Sequence, residues 1–229
     1  MSIEQPGLFG QPEIKQSQED SREEQSLAYI PFIPGVKPEE AYLELESLSD
    51  LEQRAKSCQL CRLREGCRQV VFGEGKSNAR LMLIGEGPGM DEDLQGRPFV
   101  GKAGQLLDKI LQAAGLPRQE VFIGNVVKCR PPGNRLPHPD EVRVCKNYLE
   151  AQIRIIKPQI LVCMGSLATQ VLIDPRARIT MIRGKWFNRQ GIKMMAVFHP
   201  AALLRNPSYK RPTWEDFKQI RDEYYREGK

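Results

Sequence analysis

Residues Leu81-Met82-Leu83-Ile84-Gly85-Glu86-Gly87-Pro88-Gly89 decide the fold. A short apolar run that breaks into a glycine-rich acidic turn reads as a buried strand with a sharp exit at its carboxyl end. Three more runs share that form, at 121–125, 160–165 and 194–199, and each ends on a polar or small residue: Asn125, Gly165-Ser166 and His199-Pro200. Helical patterns separate them. Residues 102–114 place Leu106, Leu107, Ile110 and Leu111 on one face, and Gly115 and Pro117 stop the helix. Residues 140–156 follow Pro139 and repeat Val144, Tyr148, Ile153 and Ile156. Ser166 is expected to cap a short helix to about Ile173, and Thr213 a terminal helix to Arg226. Strands alternating with helices call for parallel pairing through right-handed crossovers. The expected fold is therefore α/β, a three-layer sandwich with a central four-stranded parallel sheet flanked by helices. Ligands of such sheets bind beyond the carboxyl ends of the strands, so Glu86, Asn125 and His199 should converge on one pocket.

The rest of the chain sets bounds. Of 229 residues, 40% are hydrophobic, enough for a core, and the apolar runs last only a few residues, against the roughly 20 that span a bilayer. No membrane span is expected. Glu4, Glu13, Glu19 and Asp20 stand where a signal peptide would be basic and then apolar, so a reducing cytoplasm is the expected compartment and the six Cys are not read as a disulfide framework. Residues 1–50 carry a net charge of −8 and the remaining 179 carry +13. The acidic, Gln- and Ser-rich opening is too polar to offset its chain entropy, which marks 1–40 as a disordered tail and linker and 41–229 as the folded domain. A +13 domain attracts polyanions, nucleic acid first, although a solvated basic surface explains the charge equally well.

The turn after the first strand is a poor dinucleotide fingerprint. Pro88 lacks an N–H, and Asp91, Glu92 and Asp93 would repel a phosphate. Carboxylates there suit the orientation of water or the stabilisation of positive charge, an acidic surface turn being the plainer alternative. His199 precedes Pro200, which holds its backbone extended and aims the imidazole at the crevice. His138, between Pro137 and Pro139, is expected at the surface or beside phosphate.

Cys58-x-x-Cys61, with Cys129 and Cys145, supplies four soft ligands that fit an iron–sulfur cluster or zinc; the wide second spacing disfavours a zinc ribbon. Cys67 lies close to the first pair as a spare ligand, and Cys163 reads as buried core. The proline-rich loop from Lys128 to Arg135, with Arg130, and the segment Leu203-Leu204-Arg205 rim the crevice. The basic residues suit a phosphate backbone. The leucines suit a wedge into stacked bases, or else packing on the terminal helix.

Taken together, the chain resembles the family 4 uracil-DNA glycosylases, the iron–sulfur type of their superfamily, from about Leu51 to Phe217. The resemblance is carried by Cys58-x-x-Cys61, Val71 to Gly75, Gly85 to Gly89, Gly96 to Gly104, Asn125 to Asn134, Cys145, and Phe198-His199-Pro200-Ala201 through Pro207. It implies a structural [4Fe-4S] cluster on Cys58, Cys61, Cys129 and Cys145. It also implies a uracil pocket bounded by Gly87, in which Phe99 stacks on the base, Asn125 reads its polar edge and His199 faces O2. Uracil-containing DNA is then the partner, and Leu203 fills the gap left by the extruded base. Glu86, or second to it Glu92, orients the attacking water; family 1 enzymes carry Asp where Gly87 stands. With no lysine expected in the pocket to form a Schiff base, the enzyme is read as a monofunctional glycosidase, and as a monomer.

Cys67 departs from the family, where a basic residue is usual. The tail is long, and Gln5-Pro6-Gly7-Leu8-Phe9 resembles the peptides by which bacterial repair proteins dock on the sliding clamp, with Gln5, Leu8 and Phe9 as contacts; composition favours a chance apolar pair. The competing functional class is a non-catalytic base-sensing module associated with a DNA polymerase.

Overall fold

The computed structural model describes residues 45–226. The acidic tail, including Gln5, Leu8 and Phe9, lies outside the described residues. Two helices, α1 (Leu48–Lys56) and α2 (Leu63–Gly66), lead into a short strand β1 (Glu74–Gly75) and the first long strand β2 (Leu81–Gly85). Helices α3 (Met90–Gln95) and α4 (Lys102–Ala113) follow, then β3 (Phe122–Asn125), α5 (Pro139–Ile156) and β4 (Ile160–Met164). The chain closes with α6 (Ser166–Leu172), α7 (Ile179–Ile182), the hairpin β5 (Trp186–Arg189) and β6 (Ile192–Val197), α8 (Pro200–Arg205) and α9 (Lys210–Arg226).

The strand order is β1-β3-β2-β4-β6-β5. The four central strands are parallel, as the sequence pattern requires, and β1 and β5 add antiparallel edges. Successive side chains of a strand point to opposite faces, and the core divides accordingly. Met82, Ile84, Leu161, Cys163, Met194 and Ala196 face a layer containing α1, α5 and α6. Leu81, Leu83, Ile160, Val162, Met195 and Val197 face α4 and α9, through Leu107, Leu111, Phe217 and Ile220. Covering both faces lets the strands be apolar throughout, each buried leucine worth roughly 1.5–3 kcal/mol on transfer from water.

Two local expectations are corrected. Gly165, with φ of 91°, precedes α6, so Ser166 is its first residue and not its cap. The terminal helix starts at Lys210, inside which Thr213 Oγ1 donates to Tyr209 O at 2.8 Å; the hydroxyl satisfies itself within the first turn.

Candidate functional site

Register brings the singular residues together. Gly85 lies opposite Asn125 in the β2–β3 pair, and Gly165 N donates to Val197 O at 2.8 Å, so the carboxyl ends of β3, β2, β4 and β6 form one row. Beyond that row is a cavity of about 560 Å³ whose walls include Glu86, Glu92, Phe99, Asn125, His199 and Arg205. Gly87 and Arg135 also border it. Arg130, Leu203 and Leu204 are not among its walls.

Asn125 is buried, yet its Oδ1 has no hydrogen-bond partner. An unmade bond on a buried acceptor costs roughly 1–3 kcal/mol, and Asn125 is one of the residues lining the cavity, from which a ligand N–H could supply it. Phe99 forms the adjacent wall in a left-handed conformation, φ 53°, with its ring 5.6 Å from that of His199. Two glycines make this possible. A Cβ on Gly85 would lie 2.6 Å from both Phe99 Cζ and Asn125 Oδ1, and one on Gly104 would lie 1.9 Å from Phe99 O. These supports escaped the sequence reading, because close approach leaves no composition signal.

His199 stands at the start of α8, with Pro200 at the first helical position, where its missing N–H is harmless. Its Nδ1 accepts from Ala201 N at 3.1 Å, acting as the helix cap. A neutral imidazole whose Nδ1 accepts must carry its proton on Nε2, so the ring offers a donor through Nε2. Burial, helped by the Arg205 charge, lowers its pKa to about 4, which keeps the ring neutral at pH 7.

The two candidate carboxylates separate. Glu92 Oε1 accepts from Val100 N and Gly101 N, each at 2.9 Å, and Oε2 accepts from Gly89 N at 3.1 Å. Glu92 is thus committed to holding the loops on either side of α3. Glu86 makes no such bonds among the described residues; burial raises its pKa, with Arg205 opposing. A carboxylate made more basic in a half-buried cleft is suited to orient and deprotonate water.

The rim differs from expectation in three places. Leu203 is buried, packed into the protein on α8, whereas Leu204 is 47% exposed. Consecutive helical side chains point about 100° apart, and here Leu203 is the one turned inward. Arg135 is forked onto the fully buried Glu141 at 2.7 and 2.8 Å, which occupies the cation expected to meet phosphate. Lys128, read as a rim cation, is 2% exposed: its Nζ donates to Asn125 O at 2.7 Å and to Gln152 Oε1 at 2.6 Å, while Gln152 Nε2 donates to Phe72 O at 2.9 Å. Burial lowers the Lys128 pKa to about 7. This chain of bonds anchors Asn125 from behind and gave no sign in the sequence. Arg130 bonds Asn134 Oδ1 at 2.8 Å, and Arg205 is exposed with no ion-pair partner among the described residues. His138 is exposed, as expected.

On the opposite side of the β2–β3 exit lies the cysteine set. None of the six Cys is in a disulfide. The thiols of Cys61 and Cys145 lie beside each other, as do those of Cys67 and Cys129, and Cys58 packs on the same apolar cluster. Within each pair the shared proton lowers one pKa, Cys61 to about 7 and Cys67 to about 6, and raises that of Cys145 and Cys129. Among the described residues no three donors stand as a closed metal cage. The donor chemistry nevertheless fits a thiolate-bound cluster: soft ligands, half-buried or buried, with Lys128 and Arg64 beside them to offset charge. Cys163 is fully buried within β4, where burial raises its pKa, and it belongs to the core.

Comparison with known proteins gives a consistent result. The profile of the uracil DNA glycosylase superfamily matches residues 72–218. A type-4 uracil-DNA glycosylase of Thermotoga maritima is 42% identical over 193 residues, covering 82% of this chain and 100% of its own length. One from Archaeoglobus fulgidus is 41% identical, covering 77% of this chain and 92% of that protein, and one from Sulfurisphaera tokodaii is 42% identical, covering 78% and 85%.

Proposed function

This chain belongs to the uracil-DNA glycosylase superfamily, and from that premise we propose that it excises uracil from DNA, leaving an abasic site, by the following division of labour. A base inside a duplex hides its glycosidic bond, so the uridine nucleotide must be extruded, at least cost from a mismatch. The base enters the cavity and lies against Phe99. The unpartnered Oδ1 of Asn125 accepts from uracil N3–H, and its amide donates to O4. Cytosine has an acceptor at N3 and a donor at C4, so it would leave both ends of that amide unpaired. The observation that carries this reading is the buried, unsatisfied Asn125 Oδ1 beside a neutral imidazole whose proton is held on Nε2.

The bond from C1′ to N1 breaks with its electron pair moving onto the uracil ring and O2. The Nε2–H of His199 donates to that developing charge, in a site where such a bond is worth several kcal/mol, roughly 3–4 by analogy with oxyanion donors. Water adds to the oxocarbenium-like C1′, and its proton passes to the Glu86 carboxylate, which also offsets the sugar's positive charge. Glu92 keeps the turn in shape. No lysine lines the cavity among the described residues, consistent with hydrolysis without a Schiff base.

Cys58, Cys61, Cys129 and Cys145 would hold a [4Fe-4S] cluster whose part is structural: when bound, it ties the loop after β3 to α1, α2 and α5. Leu204, not Leu203, is the leucine available to enter the base stack, and Arg130 and Arg205 are the cations available to phosphate. The protein acts as a monomer in the cytoplasm; among the described residues no helix is long and apolar enough to cross a membrane. A role for the tail in docking on a sliding clamp through Gln5, Leu8 and Phe9 rests on the motif alone.

Incubation with a uracil-containing oligonucleotide, followed by alkali, tests the reading. Strand scission at uracil is expected, and its loss in His199→Ala combined with Asn125→Ala. A protein that binds the oligonucleotide without yielding alkali-labile sites would be a base sensor.

A further inference from the structure

Six thiols share one apolar cluster on this sheet face; with Cys163 set aside inside β4, five remain, one more than the four a [4Fe-4S] group takes. The fifth is placed where a ligand would be. Cys67, just after α2, has its thiol beside that of Cys129, and its sulfur donates to Arg64 O at 3.7 Å, whereas the half-buried Cys58 thiol makes no hydrogen bond among the described residues. The Cys67 sulfur also accepts from an Arg64 guanidinium N–H at 3.6 Å, which fixes where the side chain points.

The proximity is built in from both sides. Immediately after Cys67, the N–H groups of Arg68 and Gln69 donate to the buried carboxylate of Asp93 at 2.9 and 3.4 Å. Two residues further on, Val71 N donates to Lys128 O at 2.8 Å, which ties the Cys67 segment to the one that carries Cys129. Cys67 is therefore held against an inferred ligand by its backbone on the side facing the pocket turn. Cys58 follows α1, and its N–H is bonded within that helix end, to Ala55 O at 3.1 Å.

We propose that Cys67 is an exchangeable fifth ligand of the cluster site, able to take the position of Cys58, so that the cluster survives loss of either thiol but not of both. The inference rests on the cofactor reading above. It gives the site a reserve: a cluster thiolate lost to oxidation at the more exposed end of the set is replaced from within.

The test compares the full-length wild-type protein with Cys58→Ser, Cys67→Ser and the double variant, all purified anaerobically, by iron and acid-labile sulfide per chain and by visible absorbance. Both single variants should keep iron and sulfide at the wild-type ratio, and the double variant should lose most of both. Iron lost from Cys58→Ser alone, or retained in the double variant, overturns the proposal. A wild-type protein without iron and sulfide overturns the cofactor reading instead, which keeps the two failures distinct. Should Cys58→Ser not accumulate folded, native wild-type holoprotein is treated with iodoacetamide and mapped by mass. An adduct on Cys58 in protein that keeps its iron supports exchange, and its absence overturns it.

Discussion

Replacing Asn125 with Ala separates recognition from folding. In the ligand-free protein its Oδ1 is buried and unpartnered, so truncation gives up packing but no hydrogen bond at that atom, and the melting temperature should fall by only a few degrees. With uracil in the pocket the same change strands two polar groups of the base, N3–H and O4, away from water. At about 1–3 kcal/mol each the loss is about 2–6 kcal/mol, or a fall in kcat/KM of about thirtyfold to about 25,000-fold. Cytosine, which the native amide rejects, gains no partner and loses none. The ratio of uracil to cytosine cleavage should therefore collapse along with the rate on uracil. Single-turnover alkali-cleavage assays on matched oligonucleotides containing either base read both numbers, and calorimetry reads the third. A variant that keeps the wild-type uracil rate and the wild-type discrimination would refute the reasoning, because it would mean that the orphaned oxygen meets nothing in the substrate.

Other expectations follow from neighbouring residues. The folded-state pKa of His199 is lowered to about 4 against 6.5 unfolded, so unfolding takes up a proton in that window; the group's contribution, at most about 3 kcal/mol, is complete above pH 6.5 and is lost as pH falls to about 4. His199→Gln should flatten the pH dependence of the melting temperature over that range. Glu86→Gln should lower kcat with little change in melting temperature, whereas Glu92→Gln should cost about 1.5–3 kcal/mol of stability through weakened bonds to three backbone N–H groups; the reverse pattern would exchange their roles. Leu203→Ala should destabilise by about 2–4 kcal/mol, while Leu204→Ala should leave the melting temperature unchanged and slow excision from duplex more than from single-stranded DNA.

What was legible in the sequence followed from periodicity and punctuation. The four central strands are continuous apolar runs because both faces are covered, and each ends on a residue conspicuous by type, so Glu86, Asn125 and His199 could be assigned to one crevice before any coordinates. The edges were not legible. Trp186–Arg189 alternates in burial with two polar residues, and its hairpin turns through Gln190 and Gly191 at φ of 51° and 86°, a left-handed pair with no Asn-Gly or Asp-Gly to announce it. Partnerships were also hidden. Arg135 and Lys128 have the same appearance in a sequence whether they face phosphate or a buried acceptor, and only the structure distinguishes the Arg135–Glu141 fork from the exposed Arg205. Leu203 and Leu204 look alike in the sequence as candidate wedges; Pro200 starts the helix α8, which turns Leu203 inward and leaves Leu204 exposed.

The central claim is that a single pyrimidine is held by Asn125, Phe99 and His199 with Glu86 at the sugar. A crystal structure of the protein with uracil and abasic DNA tests it most directly. The account predicts the base against Phe99, its N3–H on Asn125 Oδ1, its O2 within about 3 Å of His199 Nε2, and a water between Glu86 and C1′. Uracil bound elsewhere, or seated with O2 turned away from His199, would contradict it.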